Sequence, residues 1–103
     1  MNSAGTRRLP RYECAIAVVV AWGSNAIAGL TRNISLRGMF IETSEPLWRN
    51  AEFTARLSLS EPIELDCIVR HVEPAEGMGV EFENVPEMER QRLEWLIASL
   101  AEG

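Results

Sequence analysis

The chain has 103 residues, 47% hydrophobic and 24% charged, which fits one globular domain with a modest core. Its longest apolar run, residues 15–22, falls short of the ~20 residues that cross a bilayer and lacks the flanks of a cleaved signal peptide. The net charge of −5 is unevenly spread: residues 1–37 carry five arginines against one acid, net +4, and residues 38–103 carry five arginines against fourteen acids, net −9. An acidic body of this kind disfavours a long nucleic acid, while a local arginine cluster still suits a small anion.

Residues 1–10 offer little to bury and read as a flexible N-terminal tail; Pro10 biases Leu9 to an extended form. From residue 11 to 22, Cys14, Ile16, Val18, Val20 and Trp22 alternate with their neighbours, predicting a first strand. Gly23-Ser24-Asn25 is a turn signal, and residues 26–32 predict the returning strand. Residues 33–38 break the pattern, which resumes over residues 39–42. A loop with Pro46 and an isolated Trp48 precedes a fourth strand, in which Phe53, Ala55, Leu57 and Leu59 alternate with polar residues. Ile63, Leu65, Cys67 and Val69 mark a fifth strand, and Met78, Val80 and Phe82 a sixth. The period then changes: Leu93, Leu96, Ile97 and Leu100 have helical spacing, which predicts a helix over about residues 86–101. Pro86 suits its first turn, and Glu87 and Glu89 suit the positive end of its dipole. Six short strands and one terminal helix predict an all-β domain over residues 11–103, a small antiparallel barrel or sandwich whose open end or edge the helix covers.

Cys14 and Cys67 both fall on apolar strand positions and read as buried thiols of a reducing compartment, which predicts a cytoplasmic protein. The single histidine, His71, has no cysteine or carboxylate at ligand spacing, and no nucleophile-elbow, metalloprotease or phosphate-loop signature appears. Neither catalysis nor a metal or cofactor is expected.

Two segments stand out. Upstream of the first strand, Arg7 and Arg11 are four apart with Arg8 beside the first; all ten basic residues are arginine, the side chain suited to bidentate phosphate or guanine-edge contacts. Between the second and third strands lies Asn33-Ile34-Ser35-Leu36-Arg37-Gly38. An Asn carboxamide both donates to and accepts from a base edge, a Ser hydroxyl is a compact donor, and Gly permits positive φ and close approach of a ligand. Taken singly, the tail also reads as a solvated basic arm and the second segment as a polar β-turn. Their joint occurrence is more specific.

The pair Arg7-Arg8-Leu9-Pro10-Arg11 and Asn33-x-Ser35-x-x-Gly38 resembles the signature of the PilZ domain family, Arg-x-x-x-Arg followed by Asp/Asn-x-Ser-x-x-Gly. The likeness extends through Gly38-Met39-Phe40-Ile41 and Gly77-Met78-Gly79-Val80-Glu81-Phe82 to the C-terminal helix, covering residues 7–100. It implies a six-stranded, split β-barrel that binds the bacterial second messenger cyclic di-GMP and controls motility, biofilm or secretion through a protein partner. By this resemblance Arg7 and Arg11 clamp phosphates and guanine edges and Arg8 assists. Asn33 reads a guanine edge, Ser35 hydrogen-bonds the nucleotide, and Gly38 keeps the turn open. The rival expectation is a relative of the same fold that has lost nucleotide binding and works through a protein surface around Trp48. A single-stranded nucleic acid binder is disfavoured, because the strands point acids outward.

Overall fold

Alternation of apolar and polar side chains builds six strands: β1 (Tyr12–Trp22), β2 (Asn25–Ile34), β3 (Gly38–Glu42), β4 (Glu52–Leu57), β5 (Ile63–Glu73) and β6 (Gly77–Glu83). A helix, α1 (Glu87–Glu102), follows. The computed structural model describes residues 10–102. The strands run antiparallel in the order β1-β2-β3-β6-β5-β4, and the ring is closed by β1 against β4, from Val18 opposite Leu57 to Ala21 opposite Thr54. No end of the sheet is left open, so the helix covers no free edge; it packs against β1 and β5.

Inside the ring sit Val18 and Val20 of β1, Met39 and Ile41 of β3, Ala55 and Leu57 of β4, Leu65, Cys67 and Val69 of β5, and Met78 and Val80 of β6, all buried. Each fully buried Val, Leu, Ile or Met contributes about 1.5–3 kcal/mol. On α1 only Leu93 is buried, with Leu96, Ile97 and Leu100 half-covered against the same core. The Glu89 carboxylate accepts the Glu64 N–H at 3.2 Å, and Arg92 donates to the Pro62 carbonyl at 3.4 Å; both contacts pin the helix to the start of β5.

Several boundaries move from where alternation put them. β4 stops at Leu57, and β5 continues past Arg70 through His71, helped by a register slip between Val69 and His71. β2 continues to Ile34, so Asn33 lies on the strand. Gly23 supplies positive φ at the first position of the two-residue β1–β2 turn. Only Cys67 is fully buried; Cys14 is half-covered, its thiol facing the Thr31 carbonyl at 3.5 Å, because the start of β1 lies at the rim of the core. Both thiols are free. Burial pushes both upward in pKa, and the neighbouring Asp66 and Glu83 carboxylates push Cys67 further.

The strands slip past one another beside the second motif. Thr31 and Asn33 of β2 face the adjacent residues Ile41 and Phe40 of β3, and the same two face Ile16 and Glu13 of β1. Such bulges bend the sheet and re-aim side chains. Here Thr31 and Ile34 point into the core while Arg32 is exposed and Asn33 half-exposed.

Candidate functional site

The two motif segments meet at the end of β2. The exposed Arg11 guanidinium, one residue before β1, donates through Nη1 to the Asn33 carboxamide oxygen at 3.0 Å. Tyr12 is paired with Ile34, so Arg11 reaches Asn33 on the diagonal, a same-face contact that antiparallel strands allow. Among the described residues the Asn33 amide N–H groups meet no acceptor. Arg7 and Arg8 lie outside the described residues.

Residues 35–38 form a tight turn closed by its own groups. The Ser35 N–H donates to the Gly38 carbonyl at 2.8 Å. The Ser35 hydroxyl accepts the N–H groups of Arg37 at 3.1 Å and Gly38 at 3.3 Å, and its own proton faces the Gly38 carbonyl at 3.4 Å. A serine oxygen has two lone pairs, and the turn uses both. Ser35 is 4% exposed, so its first task is to shape the turn.

Gly38 is a glycine for a different reason from the one its turn position suggests. It begins β3 opposite Glu81 of β6, its φ is not positive, and a Cβ there would collide with the Val80 carbonyl oxygen. Close approach of two backbones excludes a side chain.

Charge at the turn is set by a residue that alternation could not single out. Arg37 points its guanidinium at Glu81, Nη2 to Oε2 3.8 Å, while Arg70 of β5 holds the other oxygen of Glu81 at 2.8 Å. Arg37 and Arg70 thus bracket one carboxylate on the outer face of β6. The sequence places Arg70 and Glu81 outward on their strands, but their pairing depends on the β5–β6 register. Further along β2, Arg32 is tied to Glu42 at 2.6 Å and is committed there. The site is an open surface, lined by cations beside a barrel wall. Among the described residues no group of three or more His, Cys, Asp or Glu is arranged to hold a metal, and no helix is long and apolar enough to cross a membrane.

Residues 6–99 match the PilZ domain family. The chain belongs to this family. The comparison with curated proteins finds no match. Among solved structures, this PilZ domain is similar to that of YcgR from Escherichia coli with c-di-GMP, with a TM-score of 0.80 and 17% identity over 93% of this chain and 92% of that one. The PilZ domain of CeSA from a cellulose-synthesizing bacterium gives a TM-score of 0.74 at 22% identity, covering 89% of this chain and 98% of that one. The MrkH–c-di-GMP complex from K. pneumonia gives a TM-score of 0.79 at 20% identity, covering 92% of this chain and 52% of that one. At these identities the likeness to the solved structures is one of fold. The PilZ barrel is all-β with six antiparallel strands and a C-terminal helix, as expected from the alternation and the motif pair.

Proposed function

We propose that this PilZ domain is a non-enzymatic receptor for cyclic di-GMP. The observation that carries the reading is the 3.0 Å contact between Arg11 and Asn33, which joins the two halves of the family signature on one surface. The guanidinium donates to the carboxamide oxygen. A nucleotide offers both a better partner: phosphate oxygens or a guanine edge for the arginine, and the donor–acceptor edge of guanine for the amide. Arg7 and Arg8 add charge from the preceding segment, and their guanidinium planes suit stacking on a purine. Ser35 and Gly38 serve the ligand by fixing the turn, and the Ser35 proton, bound to the Gly38 carbonyl only at 3.4 Å, is the group it has left for a nucleotide oxygen. Two free thiols suit a reducing cytoplasm. Output passes to a protein partner.

Calorimetric titration with cyclic di-GMP tests this. A guanidinium–phosphate contact contributes about 1.5–3 kcal/mol, so Arg7→Ala and Arg11→Ala should each weaken binding about tenfold or more. Unchanged heats in both variants reject the assignment.

One observation favours the rival reading, an interaction module without nucleotide binding. Trp48 is 58% exposed, its ring set edge-on against Trp22 with centroids 5.6 Å apart. A titration in which the unmodified chain takes up no cyclic di-GMP selects that reading.

A further inference from the structure

Resting on that reading, we propose that Arg37 is a third ligand-clamping arginine, and that Glu81 is an internal carboxylate with which the phosphate competes for it. Arg37 occupies an unassigned position of the Asn-x-Ser-x-x-Gly segment, between the serine and the glycine. Its backbone is fixed on both sides: the N–H donates to the Ser35 hydroxyl at 3.1 Å, and the carbonyl accepts the Phe82 N–H at 2.8 Å. The side chain is 73% exposed. An arginine anchored at its Cα and free at its tip gives up little backbone entropy on meeting an anion.

Its present partner does not hold it. The separation of 3.8 Å from Glu81 is near the outer limit of an ion pair, and the guanidinium is open to water, where such contacts are weak. Glu81 is better served by Arg70 at 2.8 Å. This arrangement has two effects on an arriving phosphodiester. Arg70 pairs with Glu81, the carboxylate of the adjoining strand that faces Arg37, and so weakens its repulsion of an anion. Arg37, in the turn that carries Ser35 and follows the Asn33 end of β2, is released at small cost. Arg32, by contrast, is bound to Glu42 at 2.6 Å and is not available in this way.

The test is a set of cyclic di-GMP titrations by calorimetry on the unmodified chain and on Arg37→Ala, Arg37→Lys, Glu81→Gln and Arg49→Ala. Arg49 is an exposed loop arginine next to Trp48, whose ring packs on Trp22 at the opposite end of β1 from Arg11, and controls for the loss of one positive charge. Arg37→Ala should weaken binding about tenfold, and Arg37→Lys should recover part of that loss, since an ammonium lacks the planar fork. Arg49→Ala should stay within about twofold, the scale of a distant screened charge. Glu81→Gln should tighten binding about two- to fivefold by removing a competitor of exposed-pair strength. Circular dichroism confirms that each variant is folded. If the unmodified chain binds and Arg37→Ala binds within twofold of it, the clamp is overturned; if Glu81→Gln is unchanged or weaker, the competition is overturned. Absence of binding by the unmodified chain overturns the receptor reading itself.

Discussion

Ser35, Gly38 and Cys67 show how a side chain's task depends on what surrounds it. Ser35 and Gly38 carry family-signature positions, yet both are occupied with the barrel: one ties a turn, the other lets two backbones touch. That division was not legible from residue types, because a serine hydroxyl and a bare glycine suit a ligand and a turn equally well. The nearness of Arg11 to Asn33 was implied by the motif pair, whereas the Arg37–Glu81–Arg70 group was invisible until β5 and β6 were set in register. Cys67 gives a prediction that separates folded from unfolded chains. Its thiol ordinarily titrates near 9.0, and in the barrel burial, then the Asp66 charge, hold it protonated well above that. Above about pH 9 the unfolded chain releases this proton and the folded chain keeps it, so the unfolded state gains. Stability should therefore fall as pH rises past about 9, by up to about 1.4 kcal/mol per pH unit from this group. Urea unfolding between pH 7 and 10 checks it, and Cys67→Ala should flatten the slope.

At the scale of elements, strands were readable wherever one face is buried and the other wet, as in β4 and in β5 up to Val69, where every second residue is sealed. The reading failed where polarity and burial part company. Thr31, inside the predicted second strand, is wholly buried with its hydroxyl on the Met39 sulfur at 3.5 Å, and Asn33 and Ile34, which looked like the start of a turn, are the last residues of β2. The C-terminal helix was legible from its spacing, but its anchorage through Glu89 and Arg92 was not, since both are ordinary surface residues by type. The junction of β3 with β6 is the tightest of these contacts. A methyl group at position 38 meets the Val80 carbonyl oxygen, and strand backbones cannot yield as a flexible side chain can. Gly38→Ala should cost about 1–3 kcal/mol, the usual scale of overpacking, seen as a lower urea midpoint with an unchanged slope.

For the whole molecule, the ring closure and the charge split act together. Outward strand positions carry Glu52, Glu64, Asp66, Glu81 and Glu83, which makes the β4–β6 wall mainly anionic, while Arg11 and Arg37 mark one corner beside the turn. Single-stranded DNA at physiological salt should show no saturable binding by fluorescence anisotropy, because a polymer tracking the wall meets repulsion beyond the corner that a small dianion never encounters. That corner owes its shape to the slipped rungs of β1, β2 and β3. Over the same span β3 advances from Phe40 to Ile41, β2 from Asn33 back to Thr31, and β1 from Glu13 to Ile16. The three strands are like lanes of a curve, each longer than the one inside it, and the lane that travels furthest is the one whose entry carries Arg11. Straightening that curve by deleting a residue from β1 would swing the incoming chain away from Asn33 while leaving most of the ring's hydrogen bonds intact. The meeting of the two signature halves is thus a property of curvature, set by how many residues each lane uses.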